Sequence, residues 1–396
     1  MRTAHVSDCY FPTVNGVSAS VGTLTGSLGE TGHPVFLLVP AVESGLRNSL
    51  LPDDCLSRPA ENLILARTAS MVLPQLRDNR IGLFWPLKIW RELEEFQPQI
   101  IHIHTPGSLG FAAMIWARFK GLPYVFSHHT LFEEYLTYFP FSENLSRLLV
   151  LKWIRMFWQG AEAVIAPSFS IKGRIRLQGC RKDIYVIPTG INTEEFREGR
   201  EDIFKEELGL REKPFIYVGR LAYEKSIDFI LKALALLKVR GISAKLALIG
   251  GGPAEQSLRK MAEKLGIAEN VFFLGWRRRE ELRHYYASAQ ALLFASETET
   301  QGLAAAEAES CALPAIAVES SGISEAVPLS SPLTVKPGDL EGFAQRIELL
   351  MNDTELSHRL GREAREHVRD HFSVQKMRQA ALNMYNNIFA RSQNNI

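Results

Sequence analysis

Residues 291–317 read ALLFASETETQGLAAAEAESCALPAIA. An apolar run, Ala291–Phe294, is followed by a polar loop, an alanine-rich helix-like stretch and a second apolar run, Ala315–Ala317. Short apolar runs of this kind are typical of strands buried on both faces, and a helix between two such strands makes them parallel. The stretch therefore predicts a β-α-β unit of a parallel sheet.

The same alternation of apolar runs and helix-like stretches continues along nearly the whole chain, in two series. The first series of candidate strands is Thr3–Val6, Val35–Val39, Ile100–Ile103, Tyr124–Phe126, Ala163–Ile165 and Ile184–Ile187. The second is Phe215–Val218, Lys245–Ile249, Val271–Leu274, Ala291–Phe294, Ala315–Ala317 and Leu333–Val335. Two series predict an α/β protein with two parallel sheets.

A chain of 396 residues is long enough for two such domains. Turn residues at Pro188-Thr189-Gly190 and a charged stretch without strand signals predict an N-terminal domain over 1–188 and a C-terminal domain over 189–372. Apolar residues at helical spacing in 373–396 predict a helix that packs back on the first domain. Because ligands of parallel sheets bind beyond the carboxyl ends of strands, we expect the site in loops around a cleft between the domains.

Composition and charge exclude several classes of protein. Lys and Arg total 45 and Asp and Glu 44, and this net charge of +1 argues against a nucleic-acid-binding protein. Asp8 interrupts the start of the chain before any run of signal-peptide length, and no stretch resembles a membrane-spanning helix. The four scattered cysteines have neither disulfide-scaffold nor zinc-site spacing, which predicts reduced thiols in a cytoplasmic protein.

The loop after Ala291–Phe294 carries the strongest chemical signal. Glu299 lies in this loop, Glu307 lies eight residues further on, and Gly302 stands at the junction with the helix. A helix N-terminus binds phosphate, and carboxylates on either side would bind the hydroxyls of a nucleotide sugar. Alternatively, Glu299 caps the helix and Glu307 is solvated.

A basic loop follows the strand Phe215–Val218. Arg220 and Lys225, after Gly219, can clamp a diphosphate and neutralise charge on a leaving group. The alternative is an ordinary basic loop in which Lys225 pairs with Glu224 or Asp228. The glycine run Gly250-Gly251-Gly252 after the next strand permits close backbone approach, although it lacks the full dinucleotide-binding spacing.

Two loops of the first domain are also candidates. Asn15-Gly16-Val17 opens a Ser/Thr-rich helix, which is either a second anion site or a plain Asn-Gly turn. Ser127-His128-His129-Thr130 follows a strand, where one histidine can donate to a sugar hydroxyl or carry a proton, or be structural. His102 and His104 flank another strand and are interpreted as packing or loop residues.

Together these loops resemble those of glycosyltransferase family 4, whose members have the GT-B architecture of two Rossmann-like domains. The resemblance runs from Asp8 to Phe372-Ser373, and its most specific part is Glu299-x7-Glu307 followed by Ala308-Glu309-Ser310-Cys311-Ala312-Leu313-Pro314. It implies a retaining transferase that uses a nucleotide-sugar donor and no cofactor or active-site metal. Ala312, where the family usually has Gly, and Thr189, where it commonly has Asn, depart from the pattern.

The resemblance also implies a role for individual residues. Arg220 and Lys225 match the pair that binds the donor diphosphate, Glu307 the carboxylate that holds the ribose, Glu299 the one facing the donor sugar, and His129 the residue beside the transferred sugar. The donor-binding set that it implies is completed by Gly16, Gly219, Gly250, Gly251, Gly302 and Leu303.

Within the family, the chain resembles bacterial glycolipid synthases such as diacylglycerol glucosyltransferases. This implies UDP-glucose as donor and a lipid acceptor such as diacylglycerol, whereas close relatives use GDP-mannose. Tyr135 and Tyr138 lie in a run that resembles the aromatic acceptor-side loop, although Thr137 stands where many relatives carry His. Acceptors in solution, a nucleotide-sugar epimerase and a non-catalytic binding module remain alternatives, while the first βα turn lacks the glycine fingerprint of a nicotinamide dehydrogenase.

The near-zero net charge conceals a basic segment over 144–182, with eight basic residues and one acid. Within it, the apolar and aromatic run 148–158 predicts a helix that lies on an anionic membrane surface, with the protein peripheral on the inner face of the cell membrane. The alternative is a core helix with a solvated basic edge. The residues assigned to the membrane side are Lys152, Trp153, Arg155 and Trp158.

Overall fold

A computed structural model describes residues 1–11, 15–41, 61–73, 76–82, 87–130, 143–319, 322–327 and 331–393. The chain divides into two compact units, of which unit 1 is Met1–Gly190 with Val374–Ile396 and unit 2 is Ile191–Ser373. The expected boundaries were after 188 and after 372.

Unit 1 contains nine strands and six helices within its described residues. In chain order these are β1 (Thr3–Val6), α1 (Gly16–Glu30), β2 (Val35–Pro40), β3 (Leu63–Thr68), β4 (Ser70–Leu73), β5 (Leu76–Gly82), α2 (Leu87–Phe96), β6 (Ile100–Ile103), α3 (Ser108–Lys120), β7 (Tyr124–Ser127), α4 (Glu143–Gly160), β8 (Ala163–Ala166), α5 (Phe169–Leu177) and β9 (Asp183–Val186). The remaining helix, α14 (Val374–Gln393), comes after unit 2 in the chain.

Unit 2 carries the second series of strands. Its elements are α6 (Ile203–Leu208), β10 (Phe215–Val218), α7 (Ile227–Val239), β11 (Leu246–Ile249), α8 (Glu255–Lys264), β12 (Val271–Gly275), α9 (Arg279–Ala287), β13 (Leu292–Phe294), α10 (Leu303–Ser310), β14 (Ala315–Val318), α11 (Ile323–Ala326), β15 (Thr334–Val335), α12 (Leu340–Asn352) and α13 (Thr354–His371). Single 3-10 turns occupy Tyr223–Lys225 and Ala268–Asn270.

Each unit is built on one parallel sheet, which confirms the α/β class and the two Rossmann-like domains. The order in unit 1 is β3-β2-β1-β6-β7-β8-β9 and in unit 2 β12-β11-β10-β13-β14-β15. In each sheet the strand order runs outward in one direction from the first strand and then in the opposite direction. This reversal lies between β1 and β6 in unit 1 and between β10 and β13 in unit 2. Loops leaving the two strands at such a reversal diverge and form a crevice at the carboxyl edge, where ligands of open α/β sheets bind.

The strand β3 and the antiparallel hairpin β4–β5 were not predicted. Because β3 is the edge strand beyond β2, its side chains alternate between partial exposure and burial, and Ile64 is 52 % exposed. The local signal of β3 was nevertheless present, because residues 63–66 form a continuous apolar run like those of the inner strands, whereas β5 is mostly polar.

The C-terminal helix α14 packs on unit 1, as the helical spacing predicts. Its buried face is Met377, Ala381, Met384, Tyr385 and Ile388, which share one core cluster with side chains of α1 and of the sheet that include Leu24, Leu28, Val35, Ile100 and Val125. Burial of such side chains contributes about 1.5–3 kcal/mol each relative to exposure. The helix is therefore an integral layer of unit 1.

Candidate active site

The reversal point of unit 2 brings the two strongest sequence signals together. Lys225 lies in the loop after β10 and Glu299 in the loop after β13, and the Lys225 Nζ is 2.5 Å from the Glu299 Oε1. Each side chain is about one-fifth exposed (22 % and 21 %). Of the two alternative partners, Glu224 and Asp228, Asp228 accepts a hydrogen bond from Lys232 at 2.8 Å.

Hydrogen bonds to the backbone hold these two loops against each other. The hydroxyl groups of Ser296 and Thr298 lie 3.4 and 3.3 Å from the carbonyl oxygen of Glu224, to which they donate. Arg220 follows β10 directly, is exposed, and its carbonyl oxygen accepts a hydrogen bond from the Tyr217 hydroxyl at 3.0 Å. The loops therefore place two cationic side chains and one carboxylate at the carboxyl edge of the sheet.

Glu307 is buried and paired with a cation. Its carboxylate is 7 % exposed, accepts a hydrogen bond from the Arg279 Nη1 at 2.6 Å and a longer one from the Tyr286 hydroxyl at 3.4 Å. The Arg279 Nε also lies 3.6 Å from Glu195. The nearby carboxylate of Glu307 raises the pKa of Arg279, while burial raises the pKa of Glu195. The alternative of a solvated Glu307 is therefore wrong.

Arg279, Glu195 and Tyr286 were missed by the sequence reasoning. A usable signal existed for the arginine, because Arg277, Arg278 and Arg279 follow the carboxyl end of β12, where functional side chains of parallel sheets collect. Glu195 and Tyr286 carry no comparable local signal, since each reaches the cluster only through the tertiary fold.

Gly302 forms the junction between the loop and α10. It has φ 73°, in the left-handed region, and a Cβ there would lie 2.6 Å from the Ile323 Cδ1. Gly302, the cap residue of α10, carries no side chain, and the Glu299 carboxylate pairs with Lys225. The Ala305 N–H donates to the Gly302 carbonyl oxygen at 3.0 Å, whereas the N–H groups of Leu303 and Ala304 precede this first intrahelical bond, which is the arrangement that binds anions.

The glycines after β11 pack closely against other parts of the protein. Gly250 has φ 128°, and a Cβ there would lie 2.0 Å from the Gly219 carbonyl oxygen, while one on Gly251 would lie 2.7 Å from the Trp276 Nε1. These contacts explain the glycines without any ligand. Donor binding by Gly219, Gly250 and Gly251 stays a prediction.

Three histidines of unit 1 lie near the point where the strand order of its sheet reverses, between β1 and β6. His5 lies on β1, His104 follows β6 and His129 follows β7. The His5 Nδ1 is 3.0 Å from the His104 Nε2, and the His104 Nδ1 is 3.2 Å from the His129 Nε2. Burial lowers the pKa of His5 to about 3 and that of His129 to about 4, so both rings are neutral at pH 7.

His102 forms a second polar connection in the same core. Its Nδ1 is 2.6 Å from the Tyr385 hydroxyl on α14 and its Nε2 is 2.7 Å from the Ser127 hydroxyl. His5, His102 and His104 have ring nitrogens within 4.8 Å of one another, a spacing that can hold a metal ion. The stretch His102–His104 thus lies within and after β6, and both side chains are buried polar groups with partners.

At the start of α1, Asn15 is the helix cap. Its side chain accepts a hydrogen bond from the Ser18 N at 2.9 Å, and the Ser18 hydroxyl completes a capping box. Gly16 is the first helical residue. The helix therefore begins where the sequence places its N-terminal anion site.

The membrane-side residues on α4 divide into exposed and buried ones. Lys152 and Arg155 are exposed, and Trp153 is 41 % exposed beside Leu148 (62 %) and Leu149 (47 %). Trp158 is only 1 % exposed and packs in the core with Ile154 and Phe157, so its assignment to the membrane side is wrong. The reason is helical geometry, because residues 154, 157 and 158 lie on the buried face of α4, whereas Trp153 borders that face and contacts Phe157, with ring centroids 5.7 Å apart.

Tyr135 and Tyr138 lie outside the described residues. Among the helices that the structure describes, none is both long and apolar enough to span a lipid bilayer.

Comparisons with known proteins identify the family and the fold of the chain. The family description "Glycosyltransferase Family 4" matches residues 14–195, and "Glycosyl transferases group 1" matches residues 199–367. In fold, the chain resembles sucrose-phosphate synthase from Thermosynechococcus elongatus, with a TM-score of 0.79, 21 % identity and 99 % and 100 % of the two chains covered. It also resembles Anabaena HepE, solved with UDP-glucose, with a TM-score of 0.76, 18 % identity and 98 % and 100 % covered.

Curated relatives include the alpha-monoglucosyldiacylglycerol synthase of Streptococcus pneumoniae, which is 30 % identical over 80 % of this chain and 71 % of that protein. The GDP-mannose-dependent alpha-mannosyltransferase of Mycobacterium tuberculosis is 25 % identical over 86 % and 85 %. With the fold, the glutamate motif and sequence similarity across both units in agreement, the chain belongs to glycosyltransferase family 4.

Proposed function

We propose that this glycosyltransferase moves a hexose from a nucleotide-diphosphate sugar, with UDP-glucose favoured, to a lipid acceptor such as diacylglycerol, with retention of anomeric configuration. The observation that carries the proposal is the cluster at the reversal point of unit 2, where Lys225 meets Glu299 beside Arg220 and the start of α10. Cations and free N–H groups suit a diphosphate, and the nearby carboxylates suit sugar hydroxyls.

The reaction uses charge stabilisation in place of a protein nucleophile. Arg220 and Lys225 bind the diphosphate and neutralise the charge that grows on it as the glycosidic bond breaks. Glu307 holds the ribose hydroxyls, and its hydrogen bond with Arg279 orients the carboxylate. The acceptor hydroxyl attacks from the face that the diphosphate leaves, and a phosphate oxygen takes its proton.

A glycosidase-like role for the two glutamates does not fit. Retaining hydrolysis needs one carboxylate as nucleophile and one as acid, on either side of the bond that breaks. Glu307 is held by Arg279 and Tyr286 in a site that is 7 % exposed, so it is not available for either role. The reaction is proposed to need neither an active-site metal nor a cofactor.

UDP-glucose is favoured as donor because two of the relatives, from Streptococcus pneumoniae and Acholeplasma laidlawii, are alpha-monoglucosyldiacylglycerol synthases. GDP-mannose is the second candidate, since mannosyltransferases of three actinobacteria are also similar. A lipid acceptor fits the exposed apolar and basic face of α4, which would hold the protein on the inner face of the cell membrane.

A donor and acceptor panel tests this function. UDP- and GDP-sugars are incubated with diacylglycerol in anionic vesicles or with soluble acceptors, with and without a chelator, and the released nucleoside diphosphate and the anomeric configuration of the product are measured. We expect UDP release that depends on diacylglycerol, survives the chelator and yields an α-linked product. GDP release from GDP-mannose would select the alternative donor, and no release from any donor would refute a transferase.

A further inference from the structure

A continuous hydrogen-bond chain crosses three neighbouring strands of unit 1 and ends at His129. It starts at the Thr3 hydroxyl, which is 3.1 Å from the His5 Nε2. It continues from the His5 Nδ1 to the His104 Nε2 at 3.0 Å and from the His104 Nδ1 to the His129 Nε2 at 3.2 Å. Since β1 pairs with β6 and β6 with β7, the sheet itself sets the spacing of the rings.

The three rings must share one tautomer. Burial lowers the pKa of His104 well below its ordinary value, as it does for His5 and His129, so all three are neutral. A neutral imidazole has one N–H donor and one acceptor nitrogen. Within an unbroken chain, every bond therefore points the same way, and the rings are either all Nδ1–H or all Nε2–H.

Thr3 decides between these two directions. If the rings are Nε2–H, His5 donates to the Thr3 oxygen, and the threonine hydroxyl proton then has no acceptor among the residues that the structure describes. Thr3 is 1 % exposed, so water does not replace that acceptor. If the rings are Nδ1–H, Thr3 donates to His5 and every proton in the chain is used. Buried donors without acceptors are rare in proteins, so the second direction is favoured.

We propose that Thr3, His5 and His104 are positioning residues that hold His129 as its Nδ1–H tautomer, so that its outer nitrogen is a hydrogen-bond donor to a ligand oxygen. That nitrogen makes no hydrogen bond to the described part of the chain, and His129 is partly exposed. If the proposed function holds, the acceptor is an oxygen of the transferred sugar. A neutral Nδ1–H cannot accept the proton of the incoming hydroxyl, so His129 orients the sugar and does not act as base.

Ring orientation argues against a metal ion held by His5, His102 and His104. The lone pairs of an imidazole lie in its ring plane, but His102 and His104 are stacked at 3.9 Å with an interplanar angle of 26°, and His5 and His104 are stacked at 5.3 Å and 20°. Stacked rings do not aim their lone pairs at a common point between them. Both nitrogens of His102 are also engaged, by Tyr385 and Ser127.

Tautomers can be read directly by nuclear magnetic resonance on the full chain. With ¹⁵N-labelled histidine at pH 7, long-range proton–nitrogen correlations should show His5, His104 and His129 protonated at Nδ1. Thr3→Ser keeps the hydroxyl and should keep this pattern. Thr3→Val has the same shape without the hydroxyl, and it should shift His129 toward the Nε2–H form. Ser127→Ala breaks only the bond to His102 and is the matched control, with His129 unchanged.

Kinetics give a second readout in the same three variants. Thr3→Val should lower kcat roughly five- to tenfold, the loss of one ordinary hydrogen bond, with little change in the KM for the donor, and Thr3→Ser should restore it. An Nε2–H His129 in the unmodified protein, an unchanged tautomer in Thr3→Val, or stoichiometric metal bound at these rings would overturn the inference. The spectra need no substrate, so the expected tautomers without any sugar transfer would refute the proposed function and leave the tautomer assignment supported.

Discussion

The two glutamates of the Glu299-x7-Glu307 motif form ion pairs with different cationic side chains. Glu299 faces the ammonium group of Lys225 at a partly exposed position, whereas Glu307 faces the guanidinium of Arg279 at a nearly buried one. If the proposed function holds, a diphosphate that binds Lys225 competes with Glu299 for the same cation. Glu307 does not lose its cation in this way, because Arg279 remains paired with it.

We expect Arg220→Ala and Lys225→Ala to lower kcat by about 10²–10³-fold each, because each removes a charge that stabilises the leaving diphosphate. The rate of nucleoside diphosphate release at saturating donor measures this. Lys232→Ala is the matched control, since Lys232 pairs with Asp228 on the exposed face of α7. Near-unchanged turnover in both active-site variants would refute the charge-stabilisation mechanism.

We expect Arg279→Met to destabilise unit 2 by roughly 1–3 kcal/mol, because it leaves the buried Glu307 without its charged partner. If Glu307 holds the ribose as proposed, the same change should also weaken binding of the nucleoside diphosphate, because the carboxylate loses the arginine that orients it. Urea unfolding and calorimetric titration measure the two effects. Arg259→Met removes an exposed pair with Glu255 and should cost less than about 1 kcal/mol. Equal stability losses in the two variants would contradict this account.

At the scale of elements, the strands are the features that the sequence predicts best, because a local apolar pattern marks most of them. The inner strands of both sheets are continuous apolar runs, and all twelve candidate strands agree with the observed strands to within one residue at each end. Edge strand β3 also has an apolar run, at 63–66, which was missed, whereas strand β5 of the hairpin is mostly polar and lacks that pattern. The His104–His129 contact and the Arg279–Glu307 pair were also missed, because each joins residues on different elements that only the folded sheet brings together.

Helix α4 has one face that is exposed to solvent and another that is buried in the core of unit 1. Residues 148–158 were treated as one membrane-facing segment, yet the helical period separates exposed Leu148 and Leu149 from buried Phe157 and Trp158. Only the first face is available to lipid, with Lys152 and Arg155 exposed on the same helix.

We expect the unmodified protein to bind anionic vesicles and to bind neutral vesicles less. The double variant Leu148→Ser with Leu149→Ser should weaken this binding about tenfold or more, because two half-exposed leucines no longer enter the lipid. Vesicle flotation measures it. Leu177→Ser on α5, where the side chain is 91 % exposed, is the matched control. Absence of flotation by the unmodified protein would remove the membrane proposal.

At the scale of the molecule, unit 1 holds six histidines whose pKa burial lowers: His5, His33, His102, His104, His128 and His129. In the unfolded chain their pKa is near 6.5, so protons bind the unfolded state first as the pH falls. The free energy of unfolding must therefore decrease from about pH 6.5 downward, by as much as about 1.4 kcal/mol per pH unit for each histidine.

We expect urea unfolding of unit 1 to show this slope between pH 7.5 and pH 5. Tryptophan fluorescence is a suitable probe, because five of the six tryptophans lie in residues 1–190. His102→Gln should make the slope shallower, and the exposed His358→Gln is its matched control. A free energy of unfolding that stays constant or rises as the pH falls through this range would contradict the prediction.

The position of α14 has a consequence for how the protein is made. Unit 1 begins at Met1, but Met384, Tyr385 and Ile388 of its core are synthesised only after the whole of unit 2. Until those residues are made, the sheet of unit 1 lacks the helix that covers one of its apolar faces. Unit 1 therefore cannot complete its core before unit 2 has been synthesised, and translation that stops before α14 would yield a chain prone to aggregation.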